Sequence, residues 1–113
     1  MEAFDKDTFT RAVYEIVCMI PAGRATSYGA IARAANYPNR SRMVGKILSQ
    51  CPQDENIPAH RVVNSNGFLS GLDAFGNSGE MRQLLEAEGI IVLHNRIKNW
   101  KDIFWDPVQE INL

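Results

Sequence analysis

A chain of 113 residues with a net charge of −1, 45% apolar and 22% charged residues has the size and balance of one globular domain, which excludes a disordered chain and a two-domain enzyme. The most apolar part of its first helical segment, Ile16 to Ala22, lies between Glu15 and Arg24, far short of the roughly 20 apolar residues of a membrane span. The start, Met1 to Lys6, is acidic and has no signal-peptide core, so a cytoplasmic protein is expected, nucleoid-associated if its source is bacterial.

In chain order, Phe9, Val13, Ile16, Val17 and Ile20 recur at helical spacing, which predicts a core-packing helix from Thr8 to Ile20, with Asp7 as its cap and Pro21 beyond its end. Pro21-Ala22-Gly23 reads as a turn. Ser27 offers an N-cap for a short helix running through Ile31 to Ala35 and closed by Asn36. After a turn at Pro38-Asn39, a helix from Ser41 to Ser49 turns Val44, Ile47 and Leu48 inward and leaves Arg42 and Lys46 more exposed.

Two short helices joined by a tight turn form a helix-turn-helix pattern, a weak signal on spacing alone. Further on, Val62-Val63, the turn Asn64-Ser65-Asn66-Gly67 and Phe68-Leu69 read as strand, turn and strand, a wing. Ser70 to Gly79 is a Gly-rich loop, and Ser78 caps a helix that packs Met81, Leu84 and Leu85 inward before Gly89 ends it. Ile90 to Leu93 is a last strand. The expected fold is therefore mostly α with a small β-hairpin or wing, a winged helix-turn-helix-like single domain over residues 1–113.

Two cysteines, Cys18 and Cys51, support neither a disulfide framework nor a metal cluster; both thiols are expected to be buried or spectators, and no metal or cofactor is implied. Charge is unevenly spread. Between Glu15 and Asp54 no acidic residue occurs, while Arg24, Arg33, Arg40, Arg42 and Lys46 all do. Such a run is either a set of solvated helix residues or a face that meets phosphate.

Thr26-Ser27-Tyr28-Gly29-Ala30-Ile31-Ala32, Ser41-Arg42-Met43-Val44-Gly45, Ile57-Pro58-Ala59-His60-Arg61-Val62-Val63 and Leu84-Leu85-Glu86-Ala87-Glu88-Gly89, read together and in this order, resemble the O6-alkylguanine-DNA alkyltransferase family. The resemblance covers nearly the whole chain and corresponds to the family's C-terminal DNA-binding domain, without the N-terminal domain of many members. Active members carry Pro-Cys-His-Arg, whose thiolate takes the alkyl group from guanine. Here that position is Ala59, and a methyl side chain has no lone pair with which to attack. Together with the Phe104-Trp105-Asp106-Pro107 ending, this looks more like the noncatalytic alkyltransferase-like members than the enzymes. A natural alanine and an engineered one read alike in a sequence.

The resemblance implies a monomer whose partner is double-stranded DNA containing O6-alkylguanine. The lesion is read from the minor groove after its nucleotide is rotated out of the stack. Tyr28 would press on the target phosphate and Arg42 would fill the vacancy, unless Arg42 is only a phosphate contact. Ala30, Ser41 and Gly45 would allow close approach, although core packing explains Gly45 as well, Arg33, Arg40 and Lys46 would contact the backbone, and Ser27 would belong to the same DNA-binding surface. The flipped base would enter a pocket bordered by Tyr28, Leu48, Ala59 and Val62. His60 and Glu88 match the residues that activate the enzymes' cysteine and would remain as a structural pair.

The turn Cys51-Pro52 departs from the family's usual asparagine, and the 70–79 loop matches only loosely. Trp105 would either cover the pocket or pack the core. Without alkyl transfer, the expected role is to mark lesions for nucleotide excision repair proteins. The competing readings are a helix-turn-helix transcriptional regulator and a general DNA-binding protein without lesion preference.

Overall fold

The computed structural model describes residues 4–50, 56–69 and 78–111; Cys51-Pro52, the loop from Ser70 to Asn77 and the side chain of Ser78, expected to be a cap, lie outside them. Helix α1 spans Lys6–Met19 and buries Phe9, Val13, Ile16 and Val17, each worth about 1.5–3 kcal/mol when withdrawn from water. Its cap is Asp5 rather than the expected Asp7. The Asp5 carboxylate accepts from the amides of Asp7 (3.0 Å) and Thr8 (3.5 Å) and from the Thr8 hydroxyl (2.7 Å), so the helix starts two residues before the predicted Thr8. Cys18, expected to be buried or a spectator, is not buried: it is exposed, because it stands beside the apolar stripe and not in it.

Strand β1 (Thr26–Ser27) leads straight into α2 (Tyr28–Ala34), and α3 covers Ser41–Ser49. Ser27 caps α2 as expected, its hydroxyl accepting from the Ala30 amide at 3.1 Å. Asn36, at φ 70°, ends α2 in a left-handed turn in which the amides of Asn36 and Tyr37 close on Arg33 and Ala32, a Schellman motif. The turn between the two helices is tied to the start of α1: Tyr37 meets Phe4 and Phe9 edge-on, with centroids 4.9 and 5.7 Å away.

Residues 59–61 form one 3₁₀ turn, followed by β2 (Val62–Val63). The predicted wing at 62–69 is a correction. Its turn exists, held by Asn64 Oδ1, which accepts from the amides of Asn66 and Phe68 at 2.9 Å each. β2, however, pairs in parallel with β1, with Thr26 opposite Val62 and Ser27 opposite Val63, while Phe68 bridges to Arg96. Helix α4 (Ser78–Ala87) buries Met81 and Leu85. Leu84, expected inside, is 39% exposed because it falls at the edge of the stripe that Met81 and Leu85 define four residues apart.

The small antiparallel hairpin lies further on. β3 (Val92–Leu93) pairs with β4 (Arg96–Ile97) across a two-residue turn in which His94 and Asn95 take φ 53° and 65°, the left-handed pair a tight hairpin requires. Two short helices, α5 (Trp100–Ile103) and α6 (Pro107–Glu110), complete the chain; Asp106 caps α6 by accepting from the Val108 amide at 3.1 Å.

Two apolar cores share the β1–β2 ribbon as their wall. Val62 belongs to the first core with α1, α2, α3 and Trp105, and Val63 to the second with Ala25, Leu69, Met81, Leu85, Ile90, Val92 and Ile97, because successive residues of a strand face opposite sides. Trp105 is 6% exposed and packs in the first core, in the same cluster as Leu48, Ala59 and Val62. No helix among the described residues is long and apolar enough to cross a membrane.

Candidate functional site

The sequence brings its expected DNA-facing residues to the α2–α3 pair, whose helices pack chiefly on each other. Tyr28, the first residue of α2, is half-buried and lies against the first core. Its ring covers Gly45 on α3, where an added Cβ would sit 3.8 Å from Tyr28 Cδ1 and Cε1, an ordinary contact. Core packing therefore does not require glycine at position 45. Ala30 is fully buried and Ser27 is 5% exposed with its hydroxyl engaged as a cap; these two position Tyr28 from behind instead of facing a ligand.

The start of α3 is electrostatically unusual. Its N-cap, Arg40, makes no side-chain cap bond, and its first turn holds no acid. An uncapped helix N-terminus presents free amides and a partial positive charge, normally relieved by an acidic or hydroxyl side chain. Here Arg40, Ser41, Arg42 and Lys46 instead surround a cavity of about 390 Å³, a concentration of donors and positive charge suited to phosphate. Arg40 stacks over the Phe4 ring at 4.2 Å, which fixes its direction, while Arg33, Arg42 and Lys46 are exposed. Arg24, counted with this run from the sequence, belongs elsewhere: its Nε and a terminal nitrogen donate to the carbonyls of Ile103 (2.9 Å) and Phe104 (2.7 Å), closing the C-terminal end of α5.

Of the expected pocket, Leu48, Ala59 and Val62 lie together in the first core, with Tyr28 packed against it. Ala59 opens the 3₁₀ turn and is 6% exposed. Beside it, the expected His60–Glu88 pair is present, with His60 Nε2 and Glu88 Oε2 2.7 Å apart. The pair is part of a larger hub that the sequence reading missed. Arg61 Nε donates to both Glu88 oxygens at 3.0 Å, a terminal nitrogen donates to Oε2 at 2.7 Å, and its other terminal nitrogen reaches the Ile20 carbonyl at 2.8 Å. The Gly23 amide donates to Oε1 at 3.1 Å. Glu88 thus joins the end of α4 to the loop after α1 and to the turn that holds Ala59.

Burial alone pushes the Glu88 carboxyl up, but hydrogen bonds from Arg61, then His60, then the Gly23 amide overcome this and bring it down from 4.5 to about 2. It is a fixed anion at neutral pH. Among the described residues no group of three or more His, Cys, Asp or Glu side chains could hold a metal.

Residues 8–90, which carry these features, match the family described as 6-O-methylguanine DNA methyltransferase, DNA binding domain. The chain belongs to that family. It is 32% identical over 105 residues to Alkyltransferase-like protein 1 of Schizosaccharomyces pombe, covering 89% of this chain and 97% of that protein. Against the DNA base-flipping protein of Escherichia coli it is 40% identical over 89 residues, covering 77% of this chain and 66% of that protein. Its fold superposes on S. pombe Atl1 in complex with damaged DNA containing O6-carboxymethylguanine with a TM-score of 0.82, at 32% identity and over 90% of this chain and 98% of that one.

Proposed function

We propose that this protein binds O6-alkylguanine in duplex DNA, rotating the damaged nucleotide out of the stack, and that it transfers no alkyl group. The observation that carries the reading is the basic, uncapped start of α3, a helix whose Gly45 lies under the Tyr28 ring, on a fold shared with a protein crystallised on O6-carboxymethylguanine DNA. Flipping a base out of a duplex costs about a few kcal/mol. Phosphate contacts from Arg33, Arg40 and Lys46, pressure from Tyr28 and insertion of Arg42 into the gap supply what offsets it.

The displaced base enters beside Tyr28, Leu48, Ala59 and Val62. At Ala59 it meets a methyl group, which leaves room for an adduct and offers no nucleophile. His60 has no thiol to activate there; bound to Glu88, it braces the turn. A lesion held and not repaired becomes a persistent signal, and nucleotide excision repair proteins are its readers.

The test is binding of purified protein to matched duplexes carrying guanine or O6-methylguanine, followed by mass spectrometry of protein and DNA. Preference for the lesion with both masses unchanged is the expected result. A methyl group gained by the protein would overturn the noncatalytic reading, and equal binding to both duplexes would leave only general DNA binding.

Gly45 gives a second expectation. Glycine inside a helix costs about 0.5–1 kcal/mol relative to alanine, and the Tyr28 ring leaves space for the methyl. Gly45→Ala is therefore expected to raise the urea midpoint while weakening binding to the lesion duplex several-fold, because the methyl lies against the Tyr28 ring and restricts the side chain that must press on the target phosphate. Unchanged binding would return Gly45 to the fold.

A further inference from the structure

The β3–β4 hairpin carries chemistry for which lesion binding has no use. Among the described residues six large apolar side chains are exposed, and three of them, Phe68 (40%), Ile91 (54%) and Leu93 (49%), lie on or beside this hairpin. Clustering of this kind marks an interaction surface, whereas scattered exposed apolar residues do not. Phe68, Leu93 and Trp100 line a groove of about 870 Å³, together with Arg96, Lys98 and Lys101. Its lining holds one carboxylate, Asp102, and no ion pair among the described residues engages Lys98 or Lys101. The chain as a whole carries a net charge of −1, so this excess of cations is local.

The groove is preformed. Trp100 Nε1 donates to the Ser65 carbonyl at 3.1 Å, and its ring rests on Gly67, at φ +86°, where a Cβ would come within 2.9 Å of Trp100 Cγ. Leu69 and Asn95 exchange bonds, the Leu69 amide donating to the Asn95 carbonyl at 3.0 Å and Asn95 Nδ2 to the Leu69 carbonyl at 3.2 Å. Arg96 Nε is held on the Asn66 carbonyl at 2.8 Å, with the guanidinium 5.4 Å from the Phe68 ring centroid. A rigid surface loses little conformational entropy when it is occupied.

We propose that this groove docks an acidic polypeptide segment of a partner protein, which places an aromatic or aliphatic side chain against Phe68, Leu93 and Trp100 and its carboxylates on Arg96, Lys98 and Lys101. A DNA duplex, with its bases stacked inside, would use the cations and leave the apolar floor in water. A neutral apolar peptide would leave the cations unpaired. Of these three, an acidic segment with apolar side chains is the one that satisfies the whole lining. The hairpin packs on the second core and the α2–α3 face on the first, so the two surfaces stand on opposite sides of the β1–β2 ribbon. The inference deepens the reading above and rests on it only in making this partner a reader of the marked lesion.

The experiment is a heteronuclear NMR titration of the full isotope-labelled chain with a synthetic peptide of about ten residues alternating glutamate with phenylalanine and leucine. It is run without and with bound O6-methylguanine duplex, and beside a polyglutamate peptide of equal length. Shifts confined to residues 91–101 and Phe68, persisting on the duplex-bound protein, are expected. The Lys98→Glu/Lys101→Glu variant, whose exposed positions leave the fold intact, should bind the peptide at least about tenfold more weakly. Three results would overturn the proposal: no shifts at the hairpin, equal binding of polyglutamate, or displacement of the peptide by the duplex. Peptide binding at the hairpin by a protein without lesion preference would sink the lesion reading and leave the docking surface standing.

Discussion

Glu88→Ala is expected to lower the stability of the fold by about 3 kcal/mol, because removing one partner of a largely buried ion pair strands the other. Without the carboxylate, Arg61 and the Gly23 amide lose their acceptor, and the loop after α1, the turn at Ala59 and the end of α4 come apart together. For a domain of this size the thermal midpoint should fall by roughly 10–15 °C, and urea denaturation read by circular dichroism would measure it. An unchanged midpoint would show that the hub does not hold the fold.

Acid sensitivity follows from the same carboxyl. Its pKa is about 2 in the folded protein against an ordinary 4.5, so folding favours the ionised form. That contribution is complete above about pH 4.5 and is lost as pH falls towards 2, worth about 2 kcal/mol once solvent screening is allowed for. Glu88→Gln should remove this component of the acid transition. A profile identical to the wild type between pH 4.5 and 2 would contradict the assignment.

Arg42→Ala is expected to weaken binding to an O6-methylguanine duplex by about 10- to 100-fold, the equivalent of about 1.4–2.8 kcal/mol, and to abolish flipping as read by a 2-aminopurine base beside the lesion. The side chain is exposed, with no hydrogen bond or ion pair among the described residues, so stability should stay within about 0.5 kcal/mol. Arg42→Lys separates the two roles open to this residue. A lysine keeps a phosphate contact but cannot stack as a plane or pair like a guanidinium. Recovery of lesion binding in the lysine variant would make Arg42 a phosphate contact, and a variant that remains weak would make it the group that fills the vacancy.

What the sequence disclosed follows from how local each signal is. α3 runs from Ser41 to Ser49 as its apolar spacing predicts, and Ser27 caps α2 because capping is settled within three residues. The parallel ribbon has no such trace: Val62 and Thr26 are paired by the fold and not by any adjacent pattern. Of the hairpin, Val92–Leu93 falls inside the strand expected over Ile90 to Leu93, but the returning strand Arg96–Ile97 leaves no trace in the sequence, because it is two residues long and the turn before it, His94-Asn95, lacks the glycine that normally announces one.

The site divides in the same way. His60 and Glu88 were legible as members of two motifs, whereas the role of Arg61 appears only when its guanidinium meets a carboxylate 27 residues further on. Arg24 shows the converse. As a letter in a basic run it resembles its neighbours, but its guanidinium is spent on the carbonyls at the end of α5.

Ser27 ends β1 and caps α2 in the same breath of chain, and the segment through Trp105 runs along the other edge of that strand, its amide donating to the Ala25 carbonyl at 2.8 Å. The reading head is therefore welded to the chassis, with no hinge between the ribbon and Tyr28. A junction without slack holds the α2–α3 face to one shape. In the proposed complex that face acts as the anvil, so distortion falls on the DNA and the energy of bending becomes part of what is being read.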